Sequence, residues 1–320
     1  MVSVPPVEIL GARTPARIET EILIPVKIHP RRHIWGEPFG TLNGKQRAAM
    51  ERAKMTTKPL ATVRRGILAG GAIMAATLAE PATAATELDY VAYYGGLEAV
   101  RVTARVDITG ARYHITSDAR SSGFLDWMFP FQARVDGHGA TDRPWRANQY
   151  NQTSVYRGDR RRISLARAAD GALEEDVRPP VPIEDRDPVP PALRRTGVNP
   201  LAALAMAASK PAVAEACATT LPIYNGKART DWTLRYLGPA TLKGSRHAPF
   251  DGAAERCLLT YEVLAGGYKK SWFGEDQPPP EVEIWVAKAA GPDFWVPVRL
   301  RLETELATIF WHLTDWRQVP

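Results

Sequence analysis

The stretch Arg101-Val102-Thr103-Ala104-Arg105-Val106-Asp107-Ile108 decides how the chain folds. Val102, Ala104, Val106 and Ile108 alternate with Arg101, Thr103, Arg105 and Asp107, the period of a strand with one buried and one wet face. Tyr113 and Ile115 carry the pattern on past Thr109-Gly110. Turn signals follow at Asp136-Gly137, Arg157-Gly158-Asp159 and Asp170-Gly171, each between strand-like stretches, so an antiparallel meander of hairpins is expected. The run Arg157 to Arg162 reads as a hairpin with a solvated basic face, with a polyanion contact as its sharper alternative.

Downstream, prolines from Pro179 to Pro191 remove ladder donors and predict a loop or an extended crossing segment. Its acidic cluster, Glu184, Asp185 and Asp187, lacks the glycine turn of a calcium loop and reads as a solvated linker. One helix is expected next. Asn199 can cap its free N–H groups, Pro200 suits its first turn, and Leu201, Leu204, Ala205 and Ala208 form an apolar stripe that ends by Pro211. Strands resume after it. Trp232, Leu234 and Tyr236 share one face, as do Cys257, Leu259, Tyr261 and Val263. Val282, Ile284 and Val286, then Val296, Val298, Leu300 and Leu302, and finally Ile309, Trp311 and Leu313 alternate in the same way, with a loop at Pro278 to Pro280. The expected fold is all-β and mainly antiparallel, a curled sheet or half-barrel packed on one short helix.

Upstream, Met55 to Ala85 reads as an export signal. Cations at Lys58, Arg64 and Arg65 precede an apolar run from Gly66 to Ala79 and the small residues Ala82, Thr83, Ala84 and Ala85. The run is shorter than the ~20 residues of a membrane-crossing helix, and Gly70-Gly71 weakens its helicity, so a cleaved signal is favoured over a permanent anchor. Cleavage after Ala84 fits Ala82-Thr83-Ala84, with Ala85 as the neighbouring option. Arg64-Arg65 leaves a twin-arginine route open beside the general secretory one. Residues 55–84 are thus expected to be the signal peptide, residues 85–320 a single exported β-rich domain without a stable transmembrane span, and residues 1–54 a wrongly assigned extension ahead of a start at Met55.

The address redistributes the charge. The chain has 41 Lys+Arg and 35 Asp+Glu, of which 12 and 6 lie in residues 1–84, leaving 29 of each in the rest. A neutral mature protein lacks the electrostatic footprint of a nucleic-acid binder. The two cysteines, Cys217 and Cys257, fall in the exported part, where an even count argues for a disulfide, free thiols or a metal site being the alternatives.

The order of these features resembles a known family. The signal, the strand-rich first half, Asn199-Pro200-Leu201-Ala202-Ala203, Cys217, Pro222-Ile223-Tyr224-Asn225-Gly226-Lys227-Ala228-Arg229, Cys257, Trp285-Val286-Ala287 and Val296-Pro297-Val298-Arg299 look like the bacterial exported proteins grouped as domain of unknown function 3108. Asn199 stands where the family pattern has Asp, Ala202 for Ser, Tyr224 for Phe and Asn225 for a second Asp. Capping and turn chemistry survive these exchanges, which weaken a catalytic role for the replaced carboxylates or hydroxyl. The resemblance implies a Gram-negative envelope location and an all-β body, and supplies no activity.

Catalytic spacing is absent from the sequence. His114, His138, His247 and His312 are dispersed and lack metal-ligand spacing, there is no nucleophile elbow or phosphate-cradling loop, and nothing pairs Asp118, Asp126 and Asp136. No cofactor or metal is called for. Trp127, Trp145, Trp232, Trp272, Trp285, Trp295, Trp311 and Trp316 read first as core and second as the lining of an apolar cavity. The function expected is non-enzymatic: binding of an apolar envelope component, lipid or lipoprotein, or envelope maintenance in the periplasm. The alternatives are a structural or protein-interaction module of the envelope and, behind it, a cell-wall hydrolase.

Overall fold

The computed structural model describes residues 85–146, 148–269, 281–288, 294–304 and 307–320. The expected extension, the signal peptide with Ala82 and Ala84, Trp272 and the loop at Pro278 to Pro280 lie outside them. Among the described residues thirteen strands form one sheet: β1 (Ala85–Tyr94), β2 (Leu97–Thr109), β3 (Arg112–Ser121), β4 (Phe131–Ala140), β5 (Gln149–Tyr156), β6 (Asp159–Arg167), β7 (Leu173–Arg178), β8 (Ala218–Tyr224), β9 (Arg229–Leu242), β10 (Gly252–Ala265), β11 (Val282–Lys288), β12 (Trp295–Glu303) and β13 (Thr308–Val319). Every neighbouring pair is antiparallel. The all-β expectation holds.

The strand order explains the curl. It runs β7-β6-β5-β4-β3-β2-β1-β13-β12-β11-β10-β9-β8, two meanders joined at the centre by β1 against β13, where Ala85 faces Val319. Residues 179–217 must therefore carry the chain from one outer edge to the other. They do so through three short helices, α2 (Pro191–Thr196), α3 (Pro200–Ala208) and α4 (Val213–Ala216). A fourth, α1 (Gly123–Met128), joins β3 to β4. The sequence pointed to α3 alone, because helices of four to six residues are too short to display a 3.6-residue period.

The alternation that predicted strands is the alternation that builds the core. On β3, residues Tyr113, Ile115, Ala119 and Ser121 are buried between exposed Arg112, His114, Asp118 and Arg120. Tyr113, Ile115, Val135, Tyr150, Ile163 and Leu165 from the first meander share one apolar cluster with Leu221, Ile223, Val296, Val298 and Leu313 from the second and with α3. Asp136-Gly137 is not a turn but lies inside β4. A Cβ at Gly137 would stand 2.8 Å from Leu201 Cδ1, so the glycine makes room for the helix.

The stripe on α3 also differs from expectation. Leu201, Ala202, Ala203 and Ala205 are buried, whereas Leu204 is 41% exposed. The buried arc centres on Ala202, because the three alanines let the helix backbone approach the sheet. Tyr236 keeps the register of Trp232 and Leu234, opposite Cys257, but is exposed at the point where the strand shifts register toward Gly238. Val263, expected to follow Cys257 and Leu259 inward, is 44% exposed. Cys217 and Cys257 form a disulfide with a Cα–Cα distance of 5.8 Å, tying the end of α4 to β10. Among the described residues no helix is long and apolar enough to cross a membrane.

Candidate functional site

α3 lies on the inner face of the sheet, against β3 and β4 of the first meander and β8 and β12 of the second. Ala202, Ala203 and Ala205 have no exposed surface. The helix start is built as the sequence suggests: Asn199 Oδ1 accepts from the Ala202 amide at 2.8 Å, and Pro200 takes the first turn. The structure adds the wall behind the cap. Asn199 Nδ2 donates to Tyr113 Oη and to Asn148 Oδ1, each at 3.3 Å, so the helix is keyed to β3. Burial pushes the Tyr113 phenol up to about 12, with the bond to Asn199 opposing it.

A second constellation lies where the two edges of the sheet meet. The turn after β8 brings Gly226 against Ile163, Leu165 and Val177 of β6 and β7. Tyr224 Oη donates to Glu175 Oε2 at 2.7 Å, and Arg194 Nη1 bonds the other oxygen of Glu175. Burial foremost, then the Glu175 carboxylate, holds the Tyr224 phenol well above its ordinary range. Arg167 is buried on β6 and donates to the carbonyls of Arg194 (2.8 Å) and Gly197; Arg161 donates to Pro179 O at 3.1 Å and Arg186 to Gly266 O at 2.9 Å. Arg161 and Arg167 thereby satisfy carbonyls of the proline-rich crossing segment, and Arg186 ties that segment to the turn after β10. They fasten the crossing segment to the sheet.

The basic hairpin is real but divided. Arg160 and Arg162 face solvent, whereas Arg161 is buried, so the solvated face holds only for alternate residues. That signal was present in the sequence: Arg161, Ile163, Leu165 and Arg167 share one face at a spacing of two, two arginines on an apolar stripe. Tyr224 and Glu175 carried no comparable mark.

The histidines, dispersed in sequence, form two pairs. His114 and His138 lie opposite each other on β3 and β4, with His114 Nε2 3.1 Å from Asp136. His312 stacks on Phe310 and packs near Tyr93, whose hydroxyl is 3.3 Å from His247 Nδ1. Desolvation, helped by Arg299 and His247, pushes His312 down to about 4. So weak a base suits structure better than proton transfer near neutrality. Asp118 faces Arg134 and Asp126 accepts from Ser121, so the three aspartates go to separate partners. No group of three His, Cys, Asp or Glu that could hold a metal occurs among the described residues.

The tryptophans split as well. Trp285 is buried and Trp232, Trp311 and Trp316 pack against the core, but Trp127 and Trp145 are 81% and 50% exposed.

Residues 89–314 match the family described as protein of unknown function DUF3108. The chain belongs to that family. The family is described as one of unknown function. No curated protein matches the chain. Among solved structures, a β-barrel-like protein of domain of unknown function DUF1849 from Brucella abortus is similar, with 8% identity over 74% of this chain and 98% of its own, at a TM-score of 0.44. A protein titled as a lipoprotein from Parabacteroides distasonis is similar with 11% identity over 74% of this chain and 97% of its own, at a TM-score of 0.29.

Proposed function

We propose that the protein is an exported, non-enzymatic component of the Gram-negative envelope. It acts in the periplasm after loss of residues 55–84 and maintains the envelope by binding an apolar envelope component, lipid or lipoprotein, on its outside. The observation that carries this reading is the occupation of the concave face by α3, whose alanines are wholly buried where an enclosed acyl chain would otherwise lie. Cys217–Cys257 supports an oxidising compartment. The weakly basic His312 and the separated carboxylates support a non-enzymatic role.

Fractionation of the native host followed by native mass spectrometry tests the reading. Recovery from the periplasm as an oxidised protein without a retained lipid is the expected result. A reduced cytosolic protein would sink it, and a stoichiometric lipid that survives purification would replace outside binding by enclosure.

A further inference from the structure

The side of β13 turned away from Ile309, Trp311 and Leu313 carries Phe310 and His312. From His312 one cross-strand row runs to Arg299 on β12, Trp285 on β11 and Arg256 on β10, and in the other direction to Val91 on β1. Rings line it. Phe310 and His312 are stacked with centroids 5.7 Å apart and 9° between their planes, and the Arg299 guanidinium lies 5.8 Å from the Trp285 ring centre. The connection between β9 and β10 brings in His247, whose ring is 5.3 Å from that of Tyr93, the cross-strand partner of Phe310.

Burial holds two guanidiniums below their ordinary range, Arg167 and Arg299. Arg167 donates to the carbonyls of Arg194 and Gly197. Arg299 is only partly exposed, yet it has neither a hydrogen bond nor an ion pair among the described residues, and its Nε is buried without a partner. His312 Nδ1, across the row, is likewise buried and unpartnered. The acids nearby are engaged elsewhere. Glu283, two residues before Trp285 on the same side of β11, bonds Arg301 at 3.0 Å and lies 3.9 Å from Arg256; Arg301 also bonds Glu303, and Glu98 holds Arg101 opposite Val91. Arg299 and His247 both disfavour a charge on His312, and no carboxylate favours one. A desolvated charge is unfavourable unless it is paired, so Arg299 lacks its counter-charge.

We propose that this row binds a small carboxylate carried on a compact aromatic body. Arg299 offers its planar fork to the two carboxylate oxygens, the His312 imidazole flanks them, and the rings of Phe310, Tyr93 and His247 receive the body. One uncompensated guanidinium beside an uncharged imidazole matches a single negative charge, which favours a carboxylate over a doubly charged phosphate. Planar rings from β1, β13 and the β9–β10 connection favour a flat apolar body over an aliphatic one. Such binding is independent of the compartment in which the protein works.

Calorimetry and nuclear magnetic resonance of the protein with its disulfide intact test it, with benzoate as the probe and acetate and inorganic phosphate beside it. Benzoate should bind saturably at one site, move the His312 ring signals and raise the pH at which they titrate. Acetate should bind about tenfold more weakly, for want of the ring. Arg299→Gln should weaken benzoate about tenfold or more, the loss expected for a charge-assisted fork. Arg160→Gln, an exposed guanidinium on β6, should leave binding unchanged. Circular dichroism and melting verify the fold of each variant, and if Arg299→Gln does not fold, the wild-type His312 signals decide alone. Benzoate that leaves those signals unmoved, binding that survives Arg299→Gln in a folded protein, acetate bound as tightly as benzoate, or phosphate bound in preference to it would each overturn the proposal.

Discussion

Tyr224 on β8 donates its hydroxyl hydrogen to Glu175 on β7 at 2.7 Å, and these strands are the two opposite edges of one thirteen-stranded sheet. No backbone ladder joins the edges, so side chains close the curl. Arg194 from the crossing segment bonds the second carboxylate oxygen, which makes Glu175 the meeting point of both edges and the linker.

Tyr224→Phe keeps the ring packing and deletes only this bond. The Glu175 carboxylate remains paired with Arg194, so the cost should be about 1–2 kcal/mol, near that of one hydrogen bond to a charged group. Urea denaturation checks it. An unchanged midpoint would mean that the crossing segment alone holds the edges together.

Gly137 sets the depth of α3. A Cβ there would stand 2.8 Å from Leu201 Cδ1, 3.2 Å from Leu201 Cβ and 3.3 Å from Gln149 O. Gly137→Ala should cost about 1–3 kcal/mol by overpacking. Leu201→Ala leaves a cavity when made alone, but in the double variant it should return part of the Gly137→Ala loss. Thermal melts of the four proteins give the coupling, and strict additivity would show that the two residues do not meet.

The same glycine shows what the sequence could and could not carry. Asp136-Gly137 has the composition of a turn, yet its conformation is settled by a helix more than sixty residues later in the chain, an interaction local propensity does not encode. Strand identity was legible on β3 and β6 because one face is buried and one is wet, which imposes the period of two. The cap at Asn199 was legible because it is local; its tie to Tyr113 was not. Leu204 was misplaced because a helix that enters a curled sheet buries the arc of smallest side chains, whereas the stripe rule assumes burial of the largest.

The disulfide closes a separation of 40 residues and sits with Val213, packed against Leu234, Val286 and Trp295. It restrains the unfolded chain across β8, β9 and the start of β10. Cys217→Ser with Cys257→Ser should cost about 3–4 kcal/mol by loop entropy. Reductant should lower the denaturation midpoint of the wild type towards that of the double variant and leave the variant itself unmoved. A reductant effect on the variant would assign the sensitivity elsewhere.

His312 gives the fold a sensitivity to acid. Its imidazole is held down to about 4, first by desolvation and then by Arg299 and His247. The unfolded chain takes up a proton near pH ~6.5, while the folded protein resists it until about 4. The unfolded state therefore binds more protons between those values, and stability falls as pH drops through that window and is flat for this group above it. The ring is only partly buried, and screening reduces the effect to about 1–2 kcal/mol. His312→Phe retains a ring stacked on Phe310 and removes the proton site. Carboxylates contribute to acid loss in both proteins, so the difference isolates His312: urea midpoints should converge as pH falls from 7 to 4.5, the variant losing less. Parallel losses in the two proteins would place the acid sensitivity on other groups.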